Sequence, residues 1–185
     1  PCNKLIKFAD DTYLIIPESK ITSTTQELRN IIEWSISNNL KLNQGKSKEV
    51  IFSRKRTKPE DLPVKLSNIP RHEELNMLGV TFGNKLSVKC HIDVVIKKAQ
   101  ANLYALKILK NYGLSTKNVH TIFRATVLSR ILYNIQTWWG FTTAEDRKRI
   151  ESFIKRSQKW RYCDPNLMTI EELVQTYDLK LHNKP

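Results

Sequence analysis

The apolar positions change rhythm partway along the chain. Before His91 they come in short runs or alternate, as strands do. After it they recur every three to four residues, as one face of a helix does. Residues 4–8 and 12–16 are two such runs around Ala9, Asp10 and Asp11, which predicts a β-hairpin with two carboxylates at its tip. Pro17 ends the second run. Thr24 and Glu27 have capping-box spacing ahead of Leu28, Ile31, Ile32, Ser35 and Ile36. This predicts an amphipathic helix of about four turns, ending near Asn38-Asn39. The segment Leu40-Lys41-Leu42-Asn43-Gln44-Gly45-Lys46-Ser47 alternates and then turns. Short strands are predicted over residues 49–53, 64–66 and 77–82, with the charged, proline-containing stretch 54–63 as a loop. Gly79 interrupts the last strand, marking a bulge or a close backbone approach.

Further on, Ile92, Val95, Ile96, Ala99, Leu103 and Leu106 trace one helix face, which Asn111-Tyr112-Gly113 ends. Ser115 caps a second long helix carrying Val119, Ile122, Phe123, Ile131, Leu132 and Ile135, closed by Gly140. Thr143 with Asp146 opens a third, with Ile150, Phe153 and Ile154 inward. Thr169 with Glu172 opens a short fourth, carrying Leu173 and Val174. The expected fold class is α+β, in two parts. Residues 1–90 form a small antiparallel sheet with a helix, and residues 91–185 a three- or four-helix bundle.

Composition narrows the function. At 185 residues and 40% hydrophobic content, the chain has material for one domain or two small ones. No apolar stretch approaches the roughly 18–20 residues that span a bilayer. No basic-then-apolar leader is visible. The expectation is a soluble intracellular chain with no membrane partner. Cys2, Cys90 and Cys163 are too scattered for a disulfide framework or a zinc site, and read as idle thiols. His72, His91, His120 and His182 share no metal-ligand spacing. No phosphate-binding Gly-Lys-Ser/Thr loop is present, and no serine or cysteine nucleophile stands out.

Charge points to a polyanion. The net charge is +13, from 31 Lys/Arg against 18 acids. Between Lys97 and Arg161 there are fourteen Lys/Arg against three acids, whereas the stretch 164–178 is acidic, so the excess is regional. Lys97, Lys98, Lys107, Lys110, Lys117, Arg124 and Arg130 lie along two predicted helices, and Lys155, Arg156, Lys159 and Arg161 along a third. Contacts from such residues to phosphates are blind to sequence and sensitive to salt. The plainer reading is a basic surface that only keeps the bundle dissolved. Trp138 and Trp139 could stack on bases, but tryptophans at a helix end more often belong to the core.

The acidic pair carries the candidate chemistry. Two-metal phosphoryl transfer needs carboxylates that hold magnesium between an attacking 3′-hydroxyl and a leaving pyrophosphate. Alone, Asp10-Asp11 equally suits a solvated turn.

In its wider setting, Phe8-Ala9-Asp10-Asp11 resembles the aromatic-x-Asp-Asp signature of reverse transcriptases, in the form common among non-LTR (LINE, jockey-like) retrotransposons. The segment 40–47 is similar to that family's Leu-Asn-x-x-Lys-Thr/Ser palm motif. Leu78-Gly79-Val80 resembles its primer-grip turn. Leu86 and His91-Ile92 resemble the lead into the thumb, and Leu132-Tyr133 with Trp138 the thumb segment. Two positions depart from the pattern. Gly83-Asn84 stands where an Asp is common, and Asn134 stands where a Gly commonly follows the Tyr.

The resemblance implies a partial polymerase palm over residues 1–90 and a thumb-like bundle over 91–185. It implies that Asp10 ligates catalytic magnesium, with Asp11 as a secondary acid at the metal or turn. It implies that Lys46 approaches the phosphates of the incoming deoxynucleoside triphosphate, and that Leu78, Gly79 and Val80 place backbone against the primer end. The implied partners are an RNA template and a DNA primer, and the implied location is the nucleus, although Arg54-Lys55-Arg56 is too short for a nuclear signal. The chain starts at Pro1, and the family's other metal ligand and its nucleotide pocket lie before the Asp-Asp hairpin. The expectation is therefore a reverse transcriptase fragment that is inactive alone. The alternatives are a non-catalytic module binding RNA or RNA–DNA duplex, and a structural helical domain. Oligomeric state stays open.

Overall fold

The computed structural model describes residues 2–53 and 57–182. The Arg54-Lys55-Arg56 cluster lies outside the described residues. The chain is mixed α+β and forms two compact units. One is Pro1–Glu49 with Arg56–His72, the other Val50–Lys55 with Glu73–Pro185. The stretch 73–90, whose strand-like rhythm grouped it with the first hairpin, thus goes with the helices.

In the first unit, β1 (Lys4–Phe8) and β2 (Asp11–Ile15) pair antiparallel, with Lys4 opposite Ile15 and Phe8 opposite Asp11. The loop is two residues, Ala9 and Asp10. Ala9 has φ +49°, as a primed hairpin turn asks of its first central residue. Asp10 therefore sits in the turn, while Asp11 opens β2. A 3₁₀ helix (Glu18–Ser23) runs straight into α1 (Thr24–Ser37). The capping box expected from Thr24 and Glu27 does not form. Thr24 is already helical (φ −54°, ψ −48°), whereas an N-cap needs extended backbone. Its hydroxyl donates to Ile21 O instead, and Glu27 accepts from Asn3 Nδ2 at 2.7 Å.

The predicted strand at 49–53 shortens to β3 (Glu49–Val50), and β4 is Arg71–His72. No strand forms at 64–66. Arg71 organises that stretch, donating to Glu49 Oε2 at 2.6 Å, Pro63 O at 2.9 Å and Val64 O at 3.1 Å. Among the described residues this unit buries no apolar side chain. Leu5 and Ile6, which alternate across the hairpin, are both exposed, as are Phe8 and Ile15.

The second unit holds the core. β5 (Glu74–Met77) and β6 (Val80–Gly83) pair antiparallel, with Met77 opposite Val80. The single strand expected over 77–82 is in fact a hairpin turn. Leu78 (φ +49°) and Gly79 (φ +84°) are both left-handed, the type I′ requirement. β6 alternates in burial, sending Val80 and Phe82 into the core. α2 (Lys89–Asn111) buries Ile92, Val95, Ala99, Leu103 and Leu106 of the stripe read from spacing, and its remaining member, Ile96, packs partly buried against the core. Gly113 (φ +89°) follows it.

The second predicted helix starts as expected, with the Ser115 hydroxyl accepting from Asn118 N–H, but it is not continuous. α3 (Thr116–Phe123) passes into a π-helical turn (Arg124–Leu128) and then α4 (Ser129–Leu132). A π turn disturbs the regular hydrogen-bond ladder. Here Asn102 Nδ2 from α2 donates to Thr126 O at 2.9 Å. Tyr133 (ψ 119°) and left-handed Asn134 (φ 49°) then break the chain before α5 (Ile135–Trp138). Asn134 holds a conformation that glycine favours and asparagine tolerates. That accounts for Asn standing where the resemblance has Gly. α6 (Ala144–Lys159) opens with the predicted Thr143/Asp146 capping box. α7 (Ile170–His182) follows the reciprocal Thr169/Glu172 bonds.

His91 is buried in this core, edge to face with Trp138 at 5.2 Å between ring centroids. Burial disfavours the imidazolium and lowers its pKa from the ordinary 6.5. The unfolded chain therefore binds the proton more readily than the folded one. The contribution to stability is fully present above about pH 6.5 and declines as pH falls towards the lowered folded value. Thermal melts from pH 8 to 5 should show the midpoint dropping below about pH 6.5. His91→Phe should flatten that drop.

Candidate nucleic-acid interface

Asp10 and Asp11 are both exposed. The Tyr13 hydroxyl donates to Asp11 Oδ2 at 3.4 Å, a same-face contact two residues along β2. Among the described residues neither carboxylate forms an ion pair. Their oxygens are the hard donors that magnesium takes. Yet no group of three or more His, Cys, Asp and Glu converges to hold a metal among the described residues. By themselves the two carboxylates do not make a complete set of metal ligands.

Lys46 lies in a compact turn built on Asn43. Its backbone N–H donates to Asn43 O and to Asn43 Oδ1, both at 3.1 Å, and the Ser47 hydroxyl donates to Asn43 O at 2.9 Å. The Lys46 side chain is exposed, and no hydrogen bond or ion pair joins it to Asp10 or Asp11.

In the second unit the fold joins two segments that lie far apart along the chain. Tyr133 reaches the Leu78-Gly79 turn, and its hydroxyl donates to Leu78 O at 3.1 Å. A Cβ on Gly79 would lie 3.2 Å from Tyr133 Cε1, so the ring covers backbone at that point. The Tyr133 carbonyl in turn accepts from Trp138 Nε1 at 3.1 Å. The turn resembling a primer grip is thus tied to the buried tryptophan through one tyrosine. Spacing gave no sign of Tyr133 in this role, since the contact spans 55 residues.

The structure sorts the basic residues. Arg147 pairs with Glu171 at 3.5 Å and lies over the Trp139 ring. Arg149 pairs with Asp93 and Asp146. Both therefore serve internal contacts. Of the expected phosphate-binding set, Lys97, Lys98, Lys107, Lys117, Arg130, Lys155, Arg156, Lys159 and Arg161 are exposed with no ion pair among the described residues. Arg124 meets Asp164 at 3.8 Å. Lys110 is half-buried, donating to Trp160 O at 2.9 Å with its ammonium 5.0 Å from the Tyr162 ring. On α2 these lysines spread around the exposed side instead of forming one stripe.

Trp138 and Trp139 are core residues, 0% and 7% exposed. Aromatic rings that solvent reaches in this unit include Tyr104 on α2 (65% exposed) and Trp160 at the end of α6 (50% exposed), along with Tyr112, Tyr133 and Phe141. α6 ends in a Schellman turn. Tyr162 N–H bonds to Ser157 O and Arg161 N–H to Gln158 O, with Arg161 at φ +58° where glycine is usual. Sequence reasoning passed over Tyr104; the available signal was Gln100, Tyr104 and Lys107 at i, i+4, i+7 beside the buried stripe. Two of the cysteines are held towards the thiol form. Burial raises Cys163 to about 11, and a hydrogen bond to Glu74 raises Cys90.

Among the described residues, no helix is long and apolar enough to cross a membrane. The chain is similar to a probable RNA-directed DNA polymerase from transposon X-element of Drosophila melanogaster. Identity is 26% over 159 residues, covering 80% of this chain and 17% of that protein. The chain therefore spans about a sixth of the length of this relative. This distant homology supports the reverse-transcriptase resemblance. No family model matches the chain, and no solved structure matches it.

Proposed function

We propose that this chain is part of a non-LTR retrotransposon reverse transcriptase, running from the Asp-Asp hairpin of the palm through a basic thumb. The observation that carries the reading is a similarity to a transposon RNA-directed DNA polymerase that covers most of the chain. The local geometry is compatible. Asp10 stands in a two-residue hairpin turn, and nine cations of the helical unit stand exposed without ion pairs among the described residues.

In this reading the helical unit grips the phosphates of an RNA–DNA duplex, and the Leu78-Gly79 turn presents backbone near the primer. Asp10 and Asp11 contribute to magnesium binding only with further ligands. In the intact enzyme, magnesium would supply charge neutralisation for deoxynucleotide addition to a DNA 3′ end. The chain by itself binds without catalysing.

The test is a salt titration of affinity for a labelled RNA–DNA hybrid. If six to ten phosphates are engaged, affinity should fall by about 10³–10⁵ between 50 and 200 mM salt. Lys97→Gln or Lys117→Gln should each reduce the log–log slope by about 1. In a full-length polymerase, Asp10→Ala should abolish incorporation and leave hybrid affinity unchanged. A salt-independent affinity would refute the duplex-binding reading. Activity that survives Asp10→Ala would refute the catalytic one.

A further inference from the structure

One face of the helical unit has a shape that duplex gripping does not require. α2 and α6 enclose an open groove of about 240 Å³. Leu103, Phe153 and Tyr162, all buried, form its floor. Tyr104 and Trp160 stand at its rim with Gln100, Lys107 and Arg156. Neither Lys107 nor Arg156 has an ion pair among the described residues, so both cations are available to an anionic ligand.

The rim is also held in place. Trp160 meets Tyr162 edge to face, with centroids 6.3 Å apart and planes at 89°. Lys110 holds the Trp160 carbonyl from α2 at 2.9 Å. A tryptophan fixed in this way can serve as a stacking platform at little further entropic cost.

We propose that this groove seats one unstacked nucleobase of a single-stranded nucleic acid, with its flanking phosphates on Lys107 and Arg156. The inference rests on the nucleic-acid-binding reading above and adds a site to it. The volume is below the roughly 300–1,000 Å³ of pockets that enclose drug-sized ligands. It suits one planar ring system and not a whole nucleoside triphosphate. The apolar floor and aromatic rim match a base, and the two cations match the phosphates on either side of it. Single-strand sites combine these elements, a cationic track with aromatic platforms. Duplex does not supply the ligand, because its bases are already stacked. Gln100 offers an amide donor and acceptor at the edge of the seat.

The test compares two probes on the same protein by fluorescence anisotropy, a labelled oligouridylate and a blunt RNA–DNA hybrid. Tyr104→Ala and Trp160→Ala should each weaken oligouridylate binding by about 5- to 150-fold. Hybrid affinity should stay within about twofold, because phosphate contacts elsewhere are unchanged. Tyr104→Phe, which keeps the ring, should retain binding. Tyr104 and Trp160 are surface residues, and circular dichroism verifies that each variant is folded. Oligouridylate should also quench tryptophan emission, and Trp160→Phe should remove that quench.

Equal losses on both probes would overturn the proposal, because the groove would then be part of the general phosphate surface. An unchanged oligouridylate affinity in both alanine variants would overturn it while leaving the duplex reading intact. Wild-type protein that binds neither probe would sink both.

Discussion

Replacing Trp138 by alanine should destabilise the helical unit by about 3–5 kcal/mol, the range for deleting a large buried aromatic. Trp138 has no exposed surface and contacts both His91 and Trp139 edge to face. Its indole N–H also satisfies the Tyr133 carbonyl. Truncation therefore opens a cavity and removes a hydrogen bond from a carbonyl that helps end α4. Against a total stability of about 5–15 kcal/mol, that is a large fraction. A thermal melt should show the midpoint falling by more than about 10 °C, or the transition losing cooperativity. Trp34→Ala is the contrasting case. Trp34 is half exposed, with the Lys7 ammonium 3.5 Å from its ring centroid. Removing it should cost only about 0.5–1 kcal/mol through the cation–π contact, beyond a modest loss of covered surface. Equal losses for the two tryptophans would show that Trp138 is not packed as described.

Gly79→Ala should cost about 1–3 kcal/mol, from two separable sources. A left-handed residue with a Cβ carries a penalty of roughly 1–2 kcal/mol. The new methyl would also press on Tyr133 Cε1 at 3.2 Å. Tyr133→Ala removes the second source and leaves the first. A double-mutant cycle should therefore be non-additive, with Gly79→Ala costing less in the Tyr133→Ala background. Tyr133→Phe tests the hydroxyl alone. It leaves Leu78 O without that donor, at about 0.5–1.5 kcal/mol. Denaturant melts of the four proteins decide the point. Strict additivity would mean that Tyr133 does not sit over the glycine. In a full-length polymerase the same substitutions should perturb primer extension, if this turn positions the primer.

Local signals in the chain foretold local structure well. The Thr143/Asp146 and Thr169/Glu172 pairs cap helices as their spacing indicates, because a capping box needs only four consecutive residues. The stripe from Ile92 to Leu106 is buried as its period predicts. The same grammar failed at Thr24 and Glu27, where a preceding 3₁₀ turn had already placed Thr24 in helical backbone. It also failed across 116–135, where a π turn and a left-handed Asn134 break an unbroken apolar rhythm. In both cases the backbone upstream or across the core overrode the pattern.

The candidate site divides the same way. Asp10 and Asp11 are legible because they are adjacent and flanked by strand-like runs, but that pattern put both at the tip, whereas the register leaves only Ala9 and Asp10 in the turn. The basic character of residues 97–161 is likewise a property of composition. The sequence alone thus determined the α+β class, most helix starts and the presence of a regional positive charge, all of which depend on neighbours within a few positions. Only the tertiary structure decided which cations are free and which, like Arg147 and Arg149, are held by acids. Only it brought Tyr133 onto the Leu78-Gly79 turn, buried Trp138 and left Trp160 at a groove. Those outcomes depend on contacts between residues tens of positions apart, which the packing of helices against one another sets and which no local period encodes.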